Sequence, residues 1–231
     1  MLVPARRHDP EWMDRPDNRK EDLAGALADI RKVNRWLGGS RVVVEAVRPY
    51  LRADGTTRIL DVGTGGADLP MAIVQDAARF GRRVEIVGID RDPSTAALAA
   101  SAAAGEPSIT IREADAFATG FADGAFDVVT ASMFLHHFVH ADAVRLIREF
   151  RRIARRAVLV NDLERHGIPW AFIWLGARLT RRHPMFVHDA PLSVLRGFTK
   201  AELAAIAKDA GGERAAVRDR WPYRLLLEVP A

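Results

Sequence analysis

Between residues 20 and 50 apolar positions recur at helical spacing, with Leu23, Leu27, Ile30, Val33, Trp36 and Leu37 on one face. The Gly38-Gly39 pair interrupts that pattern, and a second helical stretch begins at Ser40. From Arg58 the texture changes. Short β-branched runs at 58–62, 84–89, 109–111, 126–130 and 157–160 alternate with segments of helical spacing at 68–80, 94–104 and 141–154. The alanine-rich stretch 96–104 reads as a helix whose small side chains pack closely on a sheet. Strand and helix alternating at this interval predict βαβ units, hence an α/β fold with a doubly wound, mainly parallel sheet and helices on both faces. Such sheets bind ligands at the carboxyl ends of their strands, so the chemistry is to be sought just after each strand.

After Val160 the alternation stops over 161–198, a stretch rich in His, Trp, Phe and Pro. It resumes with a helix over 199–210, ended by Gly211-Gly212, and two strand-like runs, 213–219 and 223–229, joined by Trp221-Pro222-Tyr223. That arrangement predicts an antiparallel hairpin at the sheet edge. The expected organisation is one domain over 1–231: a helical cover at 20–57, a ligand-binding core at 58–160, an inserted cap at 161–198, and a final helix and hairpin at 199–231. The most apolar window, 168–179, has about half the length needed to cross a bilayer and reads as a core, pocket or interfacial helix.

Composition then narrows the chemistry. An apolar fraction of 48% is ordinary for a folded soluble domain. With no cysteine, disulfides, Cys-ligated zinc, iron–sulfur clusters and thiol nucleophiles are excluded, so any base or nucleophile is oxygen- or nitrogen-based. The pI near 9.9 suggests a nucleic-acid partner, yet the formal charge is only +4 and 30 of the 34 basic residues are arginine. Arginine pairs at 82–83, 151–152, 155–156 and 181–182 fall on different elements, interspersed with acids, which is unlike a phosphate-tracking stripe. Residues 1–13 contain no apolar run that could be a signal-peptide core, and a cytoplasmic protein is expected.

The strongest local signal is Ile59-Leu60-Asp61-Val62-Gly63-Thr64-Gly65-Gly66-Ala67-Asp68-Leu69, a buried strand entering a glycine-rich turn and then a helix. Aspartate at 68 opposes a pyrophosphate at that helix start, and no Gly-Lys-Ser/Thr follows for a P-loop. A ligand with cationic and hydroxylated parts fits better. The next strand ends in Asp90, placed to accept two ribose hydroxyls or, given Asp92-Pro93-Ser94, to cap a helix. A third strand leads to Asp115-Ala116, where the carboxylate could accept an adenine amine. The fourth leads to Ser132-Met133-Phe134-Leu135-His136-His137. Together these strand ends carry the groups that an adenosine with a sulfonium tail would need.

In this order, Asp-x-Gly-x-Gly, the acid ending strand two, Asp-Ala after strand three and Phe-Asp-Val-Val at 126–129 resemble the class I S-adenosylmethionine-dependent methyltransferases over about residues 58–160. Three further stretches, Arg-Lys-Val-Asn-Arg-Trp-Leu-Gly-Gly at 31–39, Val-Asn-Asp-Leu at 160–163 and Arg-His-Pro…Gly-Phe-Thr at 182–199, are similar to small bacterial methyltransferases of phenolic, quinone or type III polyketide metabolism. One departure is Ala67, preceded by an extra Gly66, where the family usually has a third glycine. The resemblance implies a Rossmann-like seven-stranded sheet and S-adenosyl-L-methionine as cofactor. It also implies that Gly63, Thr64 and Gly65 line the methionine portion, which Asp61 and Asp68 help orient. Asp90 would hold the ribose, Asp115 with Ala116 the adenine, Arg91 would flank the ring, and Met133 would pack near the sulfur.

Methyl transfer from a sulfonium is an in-line displacement, and an acceptor phenol, with a pKa of about 10 by analogy with tyrosine, gains from losing its proton to a base. Histidine is the expected base. His136 and His137 are candidates that, as neighbours at a helix start, should point in different directions; His188, beside Asp189 in the cap, competes with them. No helical His-x-x-x-His or carboxylate triad suggests a metal, and none is expected. Trp170, Phe172, Trp174 and Phe186 of the cap, with Trp36, would form an apolar acceptor pocket. The expected partner is a small aromatic, lipophilic acceptor, methylated on oxygen or on a ring carbon, with no nucleic acid and no stable membrane insertion; monomer and homodimer stay open. A non-catalytic cofactor-binding subunit and a nucleic-acid methyltransferase are the competing readings, the latter opposed by Ala131-Ser132-Met133-Phe134 in place of an Asn/Asp-Pro-Pro-aromatic sequence.

Overall fold

The computed structural model describes residues 3–15, 17–180 and 182–231, and gives no side-chain placement for Arg35; Arg181 of the Arg181-Arg182 pair therefore lies outside the described residues. Two helices, α1 (Lys20–Trp36) and α2 (Gly39–Val47), precede the sheet, separated by Gly38 in the left-handed conformation at φ 67°. Then follow β1 (Thr56–Val62), α3 (Asp68–Arg79), β2 (Arg83–Asp90), α4 (Pro93–Ala103), β3 (Ile109–Glu113), β4 (Phe126–Ser132), α5 (His140–Ile153) and β5 (Ala154–Leu163). The chain ends with α6 (Gly167–Leu179), α7 (Pro184–Arg196), α8 (Lys200–Asp209), β6 (Ala216–Arg220) and β7 (Arg224–Pro230).

Seven strands form one sheet in the order β3-β2-β1-β4-β5-β7-β6. The first five are parallel; β7 runs antiparallel between β5 and β6, so the expected hairpin is present but lies with β7 inside and β6 at the edge. Strands covered on both faces need apolar residues at every position, and β4 is buried from Phe126 to Ala131. Alternation decides which face each residue serves. Leu60 and Val129 pack with Leu146, Ile147 and Phe150 of α5 and Leu203 and Ile206 of α8. Ile59, Val128 and Leu159 meet Val43 and Val47 of α2, Ile73 and Ala77 of α3, and Ala99 and Ala103 of α4. The alanines of α4 thus do what their pattern predicts, bringing that helix close to the sheet.

Local signals fix the helix starts. The Asp92 carboxylate accepts from the Thr95 N–H at 2.6 Å, with Pro93 at the first helical position, and Thr199 and Glu202 form a reciprocal capping box on α8. Two expectations need correction. Trp36 is 90% exposed rather than on the buried face of α1. The cap, in which only 168–179 was expected to be helical, holds two helices, and Asp189 and Pro191 lie in the interior of α7. Proline there removes one donor to the preceding turn. Among the described residues no helix is long and apolar enough to cross a membrane.

Phe150 is fully buried between α5, the sheet and α8. Phe150→Ala should lower the unfolding free energy by about 3–5 kcal/mol, read from urea denaturation of both proteins.

Candidate active site

A cavity of about 500 Å³ opens along the carboxyl edge of the sheet, a size usual for small-ligand sites. Strand ends supply its floor: Asp61, Asp90, Ser132 and Leu163 from β1, β2, β4 and β5, with Arg224 from the start of β7. Its roof is made by α1 through Leu27, Ile30, Val33 and Asn34, by α6 and α7 through Ile173 and Phe186, and by the segment bearing Glu11 and Asp14.

At the β1 end, Gly63 and Gly65 adopt φ of 66° and 53°, and a Cβ on Gly63 would lie 2.4 Å from the Phe134 ring. This turn brings backbone to the cavity without side chains. Asp61 is buried beneath it, accepting from the Thr130 hydroxyl at 2.8 Å and the Thr64 hydroxyl at 2.9 Å. Burial pushes Asp61 up to about 6; the two hydroxyls oppose the shift, and the Asp90 charge adds to it. Burial likewise raises Asp90, whose carboxylate accepts from the Gly65 and Asp92 N–H groups at 3.2 and 3.1 Å. Asp68 is paired with Arg31 at 2.6 Å, and Arg31 also donates to the Gly66 carbonyl, which ties α1 to the glycine turn. Arg91, Asp115, Ala116 and Met133 line the same cavity, so all ten residues expected to hold the cofactor converge on it.

His136 and His137 occupy a short 3-10 turn, residues 135–137, after β4. Both line the cavity, with ring centroids 4.3 Å apart, and so lie side by side rather than diverging. Their surroundings separate them. His136 is buried, with Nδ1 2.7 Å from the Asp162 carboxylate, and that carboxylate also accepts the His136 and Leu163 N–H groups at 2.9 Å each. The geometry makes Nδ1 the donor and leaves Nε2 toward Glu11, at 3.5 Å. Burial opposes a charge on His136, but the Asp162 and Glu11 carboxylates outweigh it and hold the imidazole well above its ordinary value. His137 is half-exposed, 3.1 Å from Asp14.

Five expected residues are not brought to the cavity. His188 bonds Asp189 at 2.7 Å and stacks on Trp12 at 4.1 Å, on the outer side of α7, because Asp189 faces inward to accept the Trp12 and Met13 N–H groups. Trp36, Trp170, Phe172 and Trp174 do not line it either; Phe172 is exposed, and Trp174 carries Arg178 over its ring at 4.2 Å. Of the expected acceptor pocket only Phe186 is in place. Glu11, Asp14, Asn34, Asp162 and Arg224 were missed as site residues. Asp162 had a signal, lying at a strand end within Val-Asn-Asp-Leu, whereas Glu11 and Arg224 reach the site only through contacts with distant parts of the chain. Glu11, His136 and His137 also offer ligand atoms within 4.8 Å of one another, a spacing that could suit a metal. Glu11 is already bonded by the Ser193 hydroxyl at 2.9 Å and has the Arg196 cation 3.8 Å away.

Residues 60–160, which contain the glycine turn and the strand ends around it, match the family described as "Methyltransferase domain". The match covers less than half of the chain. A Thermus thermophilus protein named demethylmenaquinone methyltransferase is 37% identical over 97 residues, which is 42% of this chain and 41% of that protein. Among solved structures, human N-acetylserotonin methyltransferase in complex with its cofactor superposes with a TM-score of 0.66 at 14% identity, over 92% of this chain and 56% of that one. An O-methyltransferase family 2 protein from Planctomyces limnophilus in complex with apigenin gives 0.63 at 15% identity, over 92% of this chain and 62% of that one. These similarities establish the fold. The site suits S-adenosylmethionine: the carboxylates of Asp61, Asp68, Asp90 and Asp115 line a cavity that would complement the hydroxyls, the amine and the two cationic centres of that molecule.

Two outcomes follow for binding of S-adenosylhomocysteine. Asp90→Asn should weaken it by about 10- to 150-fold, the worth of roughly 1.5–3 kcal/mol in hydrogen bonds to a charged acceptor, measured by calorimetry. Because Asp61 is raised when the cavity holds no cation, its contribution to stability is full below the unfolded value of about 3.9 and is lost as pH rises through about 6. An ammonium group nearby favours the ionised form, so binding near pH 6 should release a proton. Calorimetry in buffers of different ionisation enthalpy would read that release; a buffer-independent heat would contradict it.

Proposed function

We propose that this chain transfers a methyl group from S-adenosylmethionine to the hydroxyl oxygen of a small phenolic ring, with His136 as proton acceptor. The observation carrying this reading is the buried Asp162–His136 pair, whose histidine lines the cavity that also contains the glycine turn, with Nε2 3.5 Å from Glu11. The cofactor, when bound, supplies an activated electrophilic methyl on a sulfonium. What the chain adds is orientation and a proton acceptor. Asp162 fixes the tautomer and strengthens the base; because the ring, held up to about 10, already carries its proton at neutral pH, it accepts the phenol proton only after losing its own to solvent, and turnover should rise with pH toward that value. Around it, Leu37, Phe138, Leu163, Ile173 and Phe186 offer apolar surface for a ring. Holding the oxygen in line with the methyl supplies the positioning on which such displacements depend.

The Thermus relative favours a second reading, methylation of a ring carbon, since that protein is named for a quinone-related acceptor. A phenolate is the nucleophile in both, and the position of the transferred methyl in the product separates them. The arginines give little support to a nucleic-acid acceptor: Arg48, Arg52, Arg152 and Arg165 are bonded to Asp76, Asp127, Glu149 and Glu202 within the fold.

His136→Asn should lower turnover of a phenol panel by about 10²–10⁴-fold, with S-adenosylhomocysteine binding unchanged. Retained turnover would remove the base and leave positioning alone. EDTA should leave the wild-type rate unaltered; a loss restored by Zn²⁺ or Mn²⁺ would transfer the role to a metal at Glu11, His136 and His137.

A further inference from the structure

Arg224 is the first residue of β7, opposite Leu163 of β5, and its side chain is among the largest that are fully buried. One terminal nitrogen meets the Met133 sulfur at 3.3 Å, the other the Asn34 amide oxygen at 3.2 Å, and Nε has no partner. Among the described residues no carboxylate forms an ion pair with it; the charge it feels is that of Asp162, which is engaged by His136. The other buried guanidiniums are handled differently. Arg165 holds both oxygens of Glu202 at 2.5 and 2.6 Å, and Arg196 lies 3.5 Å from Asp14 and 3.8 Å from Glu11.

A guanidinium carries five donors and keeps its charge at neutral pH, so a thioether and one amide oxygen leave most of its capacity unused. The surroundings are nevertheless built for it. A Cβ on Gly39 would lie 2.8 Å from both the Arg224 terminal nitrogen and the Asn34 oxygen, so a glycine at 39 leaves the room that the guanidinium occupies. This accounts for two residues of the 31–39 stretch, Asn34 and Gly39, that cofactor binding does not use. Arg224 lines the same cavity as His136. Strand order separates the charges along that cavity: the acids Asp61, Asp90 and Asp115 stand at the ends of β1, β2 and β3, and Arg224 at β7, with the His136 turn after β4 between them.

We propose that Arg224, with Asn34, is an acceptor-binding site for an anionic oxygen, so that the substrate is a small hydroxylated ring carrying a carboxylate or a second, ionised hydroxyl. This rests on the methyl-transfer reading and narrows its acceptor. A planar fork that pairs with an anionic oxygen on one side of the ring fixes the ring's orientation and presents the remaining hydroxyl to His136.

The test is equilibrium binding to the full chain loaded with S-adenosylhomocysteine. One pair of probes is 4-hydroxybenzoate and its methyl ester, the other 2,4-dinitrophenolate and phenol. The anionic member of at least one pair should bind at least about tenfold tighter than its neutral counterpart, and the pair showing the preference tells carboxylate from ionised hydroxyl. Arg224→Leu should abolish the preference and leave S-adenosylhomocysteine affinity unchanged. Equal affinities in both pairs, or no binding by either anion, overturn the proposal. Weaker S-adenosylhomocysteine binding by Arg224→Leu also overturns it, by placing the arginine on the cofactor carboxylate. Should Arg224→Leu not fold, the wild-type comparison stands without it, and Gly39→Ala, which crowds the guanidinium, should reduce the same preference. Failure of the wild type to bind S-adenosylhomocysteine would instead remove the methyl-transfer reading, and this inference with it.

Discussion

The contact between Asp162 and His136 organises the acceptor side of this molecule. Asp162 is the second-last residue of β5, and its two oxygens accept the His136 ring, the His136 backbone and the Leu163 backbone. A carboxylate at a parallel strand end, enclosed on both faces of the sheet, is tolerable only if such donors surround it. Meeting that requirement draws the turn after β4 against β5 and turns Nε2 of His136 toward Glu11, another residue of the cavity wall. Glu11 then completes the ring's surroundings, and through Ser193 and Arg196 it brings α7 and the N-terminal segment over the site. The roof and the candidate base are parts of one polar network.

Charge placement explains the basic composition without a polyanionic partner. Asp76, Asp127 and Glu202 are bonded by Arg48, Arg52 and Arg165, and Arg6 donates to the carbonyls of Arg196, His136 and Phe138. Arginine suits this work because a planar fork can hold two acceptors at once, whereas an ammonium acts as a point charge. Acids line the glycine-turn side of the cavity, and Arg224, which among the described residues has no ionic partner, lines the other.

The sheet was legible because its cause is local. Period-two and continuous apolar runs, the glycine turn and the caps at Asp92 and Thr199 are each contained in a few consecutive residues, and the strands and helices of the core lie where those patterns place them. The residues expected to hold the cofactor, most of them polar groups just after a strand, were likewise brought to one cavity. The acceptor side was not legible. Trp170 and Trp174 looked like pocket residues because a run of aromatics in a cap is apolar, but apolarity does not say which face of α6 turns inward. His188 was misplaced because Asp189, its neighbour, is committed to the N-terminal segment 176 and 177 residues away. Glu11, Asn34 and Arg224 become site residues only through pairings between opposite ends of the chain, which no local spacing records.

The central claim is that Asp162 turns His136 into a strong base facing the cofactor cavity. Nitrogen-15 NMR titration of the His136 ring in the wild type and in Asp162→Asn tests it most directly. The account requires the wild-type ring to stay protonated well above the ordinary histidine value of about 6.5, and to fall toward or below it once the carboxylate is removed. A wild-type His136 that is neutral at pH 7, or that titrates identically in both proteins, would contradict it.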